Sequence, residues 1–369
     1  MSEAVAEAPP GEDGVQTMDI TPYLKLMVQQ KGSDLFFTAG AQVKIKLEGK
    51  VQSIGKSMLT PELCSAAADG IMNDQQRREF AETMECDFAI GMPDGSARFR
   101  VNVFRQRGHV GMVLRLIPSV IPTIDELNVP DVLKELIGAK RGLLLMVGAT
   151  GSGKSTTLAA MINHRNETQA GHILTIEDPV EFYHPNKMSI LNQREVGVDT
   201  VSYARALKAS LREAPDVILI GEIRDRVTME AALELANTGH LAISTMHANN
   251  ANQAMERVIH MFPQESHKQL FMDLSTNLRA VVSQRLVPDV RGKRCAAVEI
   301  MVNTPHIQEL ILKGELDEIK EAMSDSGAKG MRTFDMSLYN LYQENRITLE
   351  EALNNADSRT NLEAKINFG

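Results

Sequence analysis

The chain carries two hydrophobic rhythms, and they change over near residue 118. In the first part, apolar residues alternate with polar ones over short stretches, the period-two pattern of strands with one buried face. Such stretches run over residues 34–38, 43–47, 51–54, 87–92, 97–104 and 111–116, with turns expected at Glu48-Gly49-Lys50 and Pro93-Asp94-Gly95. Helical spacing begins at Met18, where Asp19 or Thr21 is a candidate cap and Pro22 sits in the first turn. It returns from Thr60-Pro61-Glu62 to about residue 72 and over the charged stretch 74–83. Residues 18–118 therefore read as a small α+β domain. Residues 1–17, rich in Ala, Glu, Pro and Gly, hold too little apolar surface to order themselves and are expected to form a disordered tail.

Pro118 and Pro122 frame a linker over residues 119–123. Beyond it the apolar runs are unbroken, at residues 143–147, 173–177, 217–221 and 241–245, and helical patterns at 124–137, 202–212 and 228–237 separate them. Strands that are apolar on both faces belong to a parallel sheet between two helical layers, so the fold class expected here is α/β. Ligands of such sheets sit outside the carboxyl ends of the strands. Helical spacing follows over 252–262 and 267–285, then a strand at 295–301 and helices at 305–313, 334–344 and 349–354, with a loop at 324–330. Thr348 and Glu351 form a capping box for the last of these helices. A second, α/β domain is read over 124–302 and a C-terminal helical region over 303–369.

The stretch from Gly142 to Thr157 supplies the first chemistry. It reads as a buried strand, a glycine-rich turn and the start of a helix, the GxxxxGK[ST] phosphate loop. Gly148, Ala149, Thr150, Gly151, Ser152, Gly153, Lys154, Ser155 and Thr156 are the expected nucleotide-binding residues. The glycines let backbone approach a phosphate, and the helix offers free N–H groups and the positive end of its dipole. Lys154 is expected to reach the β- and γ-phosphates and the Ser155 hydroxyl to ligate Mg²⁺.

Three polar boxes follow at the ends of successive apolar strands. Thr175-Ile176-Glu177-Asp178-Pro179-Val180-Glu181 sets three carboxylates within five positions, where Glu181 or Glu177 can orient or deprotonate an attacking water. The run Asp216 to Asp225 places Gly221 and Glu222 where an ordinary Walker B strand ends in Asp, so Glu222 is the expected Mg²⁺-holding carboxylate, acting through water. Ser244-Thr245-Met246-His247-Ala248-Asn249-Asn250 offers His247 as a sensor of the γ-phosphate, with His240 just ahead of its strand. A solvated acidic turn, a capping Glu and a structural His are the plainer alternatives for each box.

Arg98, Arg100, Arg105, Arg107 and Arg115 crowd the last strands of the first domain, although the chain as a whole is at −9. A solvated sheet face explains such a row, and so does a set of guanidinium groups aimed at the phosphates of a neighbouring subunit. The acidic balance disfavours a nucleic-acid-binding surface. No apolar run reaches the length of a bilayer span, so a cytoplasmic protein is expected. Cys64, Cys86 and Cys295 are far apart and fit reduced thiols, neither a zinc site nor a disulfide framework.

Taken together, the phosphate loop and the Ile-Glu-Asp-Pro-Val-Glu, Gly-Glu-Ile-Arg-Asp and Ser-Thr-Met-His boxes resemble the secretion ATPase superfamily, specifically the PilT/PilU family of type IV pilus retraction ATPases. The resemblance runs from Met18 over nearly the whole chain. Ser33-Asp34-Leu35-Phe36-Phe37 and Arg332-Thr333-Phe334-Asp335 place it nearer PilU than PilT. It implies a PAS-like N-terminal domain, a RecA-like ATPase core with C-terminal helices, and a homohexamer that binds ATP and Mg²⁺. Lys154, Ser155, Glu177, Glu181, Glu222, His240 and His247 are then the site residues, and Arg100 and Arg115 complete the site across subunits. Implied partners are a PilT-type retraction ATPase and the inner-membrane pilus platform protein, touched peripherally, without nucleic acid. Where PilT has Ala-Ile-Arg-Asn-Leu-Ile-Arg-Glu, this chain reads His306-Ile307-Gln308-Glu309-Leu310-Ile311-Leu312-Lys313, without the arginines. That departure favours an accessory motor that depends on PilT. The absence of the tetracysteine zinc site of extension and type II secretion ATPases disfavours an assembly motor. A nucleotide-binding ring scaffold with little hydrolysis of its own is the alternative.

Overall fold

A computed structural model of the chain describes residues 18–47, 49–55, 57–92, 94–118 and 120–368. The expected tail at residues 1–17, Glu48 and Pro93 of the two expected turns and Ser119 of the linker lie outside the described residues. The chain divides into two compact units, Met1–Val120 and Ile121–Gly369.

The first unit runs α1 (Thr21–Gln29), β1 (Asp34–Thr38), β2 (Lys44–Leu47), β3 (Lys50–Ser53), α2 (Pro61–Asp69), α3 (Asp74–Thr83), β4 (Glu85–Gly91), β5 (Arg98–Gln106) and β6 (His109–Ile117). Its strands form one antiparallel sheet in the order β3-β2-β1-β6-β5-β4. Alternation sets the faces: Phe99, Val101 and Val103 of β5 are fully buried, while Arg98 and Arg100, on the opposite face, are exposed. The Thr60 hydroxyl caps α2 by accepting from Leu63 N–H, and Asn73 and Gln76 close a capping box on α3.

The second unit begins with α4 (Val132–Ile137), β7 (Gly142–Val147), α5 (Lys154–Thr168), β8 (Gly171–Glu177), β9 (Ser189–Glu195), α6 (Tyr203–Ser210), β10 (Val217–Ile220), α7 (Arg226–Asn237) and β11 (Leu241–Met246). It continues through α8 (Ala251–His260), α9 (His267–Asn277), β12 (Leu278–Pro288), β13 (Arg294–Val302), α10 (Pro305–Lys313), α11 (Ile319–Asp325), α12 (Phe334–Gln343), α13 (Leu349–Asn354) and α14 (Arg359–Phe368). The sheet order is β13-β12-β7-β11-β10-β8-β9, parallel except for β13. One face packs Leu143, Leu145, Ile218 and Ile220 against α6 to α11; the other packs Leu144, Met146, Leu219 and Ile243 against α4 and α5. A smaller cluster joins Val287, Cys295 and Ala297 at the outer end of the β12–β13 hairpin to Phe334, Leu338 and Leu362 of the C-terminal helices. Among the described residues no helix is long and apolar enough to cross a membrane.

Two local expectations change. The helix expected over 267–285 stops at Asn277, and Leu278–Pro288 is a strand lying parallel to β7. Its Val281, Val282 and Val287 are wholly buried, and β-branched residues suit a pleated, enclosed strand better than a helix. The helix expected over 124–137 is helical only over Val132–Ile137, after Pro130, whose ring blocks a continuous helix. Strand β9 and helices α11 and α14 carry no expectation from the sequence.

Candidate functional site

Strand β7 is buried throughout, and the chain leaves the sheet at Gly148. There φ is +155°, and a Cβ would lie 2.5 Å from Ser152 Oγ and 2.6 Å from the Gln284 carbonyl oxygen, so no side chain fits. The turn ends at Gly153, in the left-handed region at φ +84°, and α5 starts at Lys154 without a side-chain cap. The first N–H groups of α5 are thus left for an anion. Lys154 Nζ arches back to donate to the carbonyls of Gly148 at 2.7 Å and Ala149 at 2.9 Å. Burial lowers its pKa, and the nearby Glu222 and Glu181 charges oppose that shift. Thr150, Gly151, Gly153, Lys154, Ser155 and Thr156 line a cleft of about 490 Å³. Ser152 is turned inward and buried, its carbonyl accepting from Gln284 Nε2 at 2.9 Å.

The opposite wall comes from the carboxyl ends of β8, β10 and β11. Glu177 Oε1 accepts from Thr175 Oγ1 at 2.6 Å and from Gln193 Nε2 of β9 at 3.3 Å; burial pushes its pKa up against those two bonds. Glu181 stands exposed two residues past Pro179 and lines the same cleft. At the end of β10, where ladder bonding stops, hydroxyls of β11 take over the carbonyls: Ser244 Oγ donates to Ile220 O at 2.7 Å and Thr245 Oγ1 to Gly221 O at 2.6 Å. This fixes Glu222, whose Oε2 accepts from Arg224 Nε at 2.8 Å while Oε1 lies 3.3 Å from His247 Nε2. Glu177, Glu181, Glu222 and His247 therefore share one cleft with Lys154 and Ser155.

Other expected residues stand elsewhere. His240 precedes β11 at its amino end, the far edge of the sheet, with Nδ1 3.1 Å from Leu235 O and 3.1 Å from Thr238 Oγ1; it does not line the cleft. Arg100 and Arg115 belong to the first unit, directly opposite one another across β5 and β6. Arg115 Nε donates to the buried Asp34 at 2.8 Å, which offsets the repulsion of two facing cations, and its side chain remains 67% exposed.

The cleft lining also includes residues not singled out from the sequence, among them Tyr203, His184, Leu286 and Arg294. Burial raises the Tyr203 pKa. His184 is pushed down to about 4, chiefly by burial, and its Nδ1 has no hydrogen-bond partner among the described residues. Behind the loop, Gln284 ties β12 to α5, accepting from Thr157 Oγ1 at 2.8 Å. The valine run around Gln284 is the signal that would have marked its strand.

The family model of the type II/IV secretion system proteins matches residues 12–310. The chain belongs to that family. Within it, the chain is 53% identical to the type IV pilus ATPase PilU of Pseudomonas aeruginosa over 95% of this chain and 92% of that protein. It is 44% identical to the type IV pilus retraction ATPase PilT of the same organism, over 91% of this chain and 97% of that one. The crystal structure of the pilus retraction motor PilT with bound ADP is similar with a TM-score of 0.88, at 39% identity, over 94% of this chain and 99% of that one. The chain is thus a P-loop ATPase of the PilT/PilU branch. Its fold is the RecA-like ATPase core, smaller PAS-like α+β unit and C-terminal helices that the resemblance implied.

Proposed function

We propose that this PilT/PilU-family chain is a cytoplasmic motor subunit that hydrolyses Mg·ATP in a homohexameric ring and drives type IV pilus retraction, and hence twitching motility. The observation that carries this reading is the convergence of Lys154, Glu181, Glu222 and His247 on one cleft at the carboxyl edge of the parallel sheet. Backbone N–H groups at the start of α5 and the Lys154 ammonium hold the β- and γ-phosphates. Water attacks the γ-phosphorus, the bond to the ADP oxygen breaks, and Glu181 takes the water's proton. His247 faces the γ-phosphate and reports its departure to Glu222.

The donor set fits Mg²⁺. The Ser155 hydroxyl and the Glu222 carboxylate open on the same cleft, both hard oxygen donors, and Mg²⁺ keeps several waters besides. Bound there, the ion would neutralise charge growing on the phosphate oxygens. Arg100 and Arg115 of a neighbouring subunit would add planar guanidinium donors.

Helix α10 supports an accessory role beside a PilT-type ATPase, at the inner-membrane platform of the pilus machine. That helix buries Ile307, Leu310 and Ile311 but offers Gln308 and Leu312 where PilT has arginines. The same feature favours the second reading, a nucleotide-binding scaffold that hydrolyses little alone. ATP turnover by the full chain, measured beside Lys154→Ala and with a PilT-type ATPase or DNA added separately, tests both. Turnover abolished in the variant supports the motor; turnover equal in the variant overturns the site. Turnover only with the second ATPase present supports the scaffold, and stimulation by DNA would point to a nucleic-acid motor.

A further inference from the structure

The loop that carries His247 is held by groups that the hydrolysis chemistry does not use. Arg257 Nη1 of α8 donates to the His247 carbonyl at 2.8 Å, and Glu299 Oε1 of β13 accepts from Ala251 N–H at 2.7 Å. Between them, Arg285 Nη2 of β12 donates to the Asn249 carbonyl at 3.2 Å. The same guanidinium reaches away from the loop. Its Nη1 donates to the Asn355 carbonyl at 3.0 Å, and Nη2 pairs with Asp357 Oδ1 at 2.8 Å. Its central carbon lies 3.9 Å from the ring centroid of the fully buried Phe334.

The far end of this contact is itself fixed. Asp357 also pairs with Lys320 Nζ at 3.1 Å, and Asp335 Oδ1 and Oδ2 accept from Asp357 N–H at 2.8 Å and Ser358 N–H at 3.1 Å. The connection between α13 and α14 therefore ends on one guanidinium, which ends in turn on the loop two residues past His247. Asp357 is only 11% exposed, so solvent and salt screen the pair weakly. A planar fork held on both sides and stacked beneath has one geometry, and it moves as a rigid link.

We propose that Arg285 is a positioning residue that couples the C-terminal helices α12 to α14 to the His247 loop, so that displacement of those helices changes the rate of hydrolysis. The coupling rests on the reading of His247 as the group facing the γ-phosphate. A group misplaced by about 1 Å loses up to roughly a hundredfold in rate, so a shift transmitted through Arg285 alters kcat rather than ATP affinity.

The test measures kcat and KM for ATP in the full-length chain for Arg285→Ala, Arg285→Lys, Asp357→Asn, His247→Ala and the double variant Arg285→Ala/His247→Ala. Arg285→Ala is expected to lower kcat about tenfold with KM within about twofold. Arg285→Lys, which keeps charge but not the fork, should fall between. In the His247→Ala background, Arg285→Ala should add less than about twofold, since the group it positions is gone. A purely structural role predicts the opposite, because a smaller active fraction multiplies with the His247 loss. Multiplying losses, or an unchanged kcat in Arg285→Ala, overturn the coupling alone. An unchanged kcat in His247→Ala overturns the reading of His247 and the coupling with it. Should Arg285→Ala fail to fold, Asp357→Asn carries the same test: a lowered kcat at constant KM supports the link, and wild-type kinetics overturn it.

Discussion

Thr157 of α5 and Gln284 of β12 are joined by a buried hydrogen bond of 2.8 Å, and the other end of the same amide donates to the Ser152 carbonyl at 2.9 Å. One side chain thus fixes the phosphate loop and the first turn of its helix against the sheet. Gln284→Ala leaves the Thr157 hydroxyl and the Ser152 carbonyl unpaired and buried, a cost of about 1–3 kcal/mol. The expected outcome is a lower midpoint in urea and a raised KM for ATP. Wild-type values for both would show that the loop holds its shape without this amide.

Gly221 occupies the position where an ordinary Walker B strand carries its carboxylate, and the reason is steric. A Cβ there would meet Tyr203 Oη at 2.6 Å, the Ile176 carbonyl oxygen at 3.2 Å and Glu177 Cα at 3.3 Å. Gly221→Ala must push Tyr203 and the end of β8 aside, an overpacking cost of about 1–3 kcal/mol. Because Glu222 follows directly, the variant is expected to lose turnover more than tenfold at about 1 kcal/mol or more of lost stability. Turnover at the wild-type rate would mean that the acidic wall tolerates the shift.

Glu299 sits wholly inside the second unit, and burial pushes its pKa up to about 7 from 4.5. The Ala251 N–H and Ser283 hydroxyl bonds and the Arg285 charge work against that rise, while Asp357 adds to it. Between those two values the folded chain holds a proton that the unfolded chain has released. Stability from this group is therefore complete below about pH 4.5 and lost as pH rises through about 7. Glu299→Gln keeps an acceptor for both bonds and has no proton to lose. Relative to the parent, its stability is expected to gain up to about 3 kcal/mol from about pH 5 to about pH 8 in urea titrations. A difference that does not vary with pH would show that Glu299 is ionised throughout.

What was legible in the sequence follows how local the signal is. The phosphate loop and the boxes around Glu177, Glu222 and His247 are continuous stretches at strand ends, so the strand pattern located them and the parallel order brought them together. Gln284, Arg285 and Glu299 lie in β12 and β13, far along the chain from what they hold, and no spacing rule reaches across such distances. The reading of 267–285 as one helix hid Gln284 and Arg285 further: a helix would have turned Gln284 away, whereas the strand aims it at the loop. His240 shows the converse. Closeness to His247 in sequence put it in the same box, yet a strand of six residues carries the two to opposite edges of the sheet.

Glu177 and Glu181 are equivalent in sequence, and their surroundings separate them. Glu177 is held by Thr175 at 2.6 Å and Gln193 at 3.3 Å, and Gln193 Nε2 also donates to the Phe182 carbonyl at 2.8 Å. Those bonds make it a brace for the loop rather than a free base. Glu181 is exposed to the cleft and accepts no comparable side-chain contact there among the described hydrogen bonds. Glu181→Gln is therefore expected to keep ATP binding while lowering single-turnover hydrolysis about a hundredfold or more, the scale of losing a general base. Glu177→Gln, which still accepts from Thr175, should lower hydrolysis by less than about tenfold and lower the melting temperature as the brace loosens. Nucleotide binding by fluorescence and single-turnover phosphate release, measured on both variants, give the order directly. The reverse order would make Glu177 the base and Glu181 a residue of the loop.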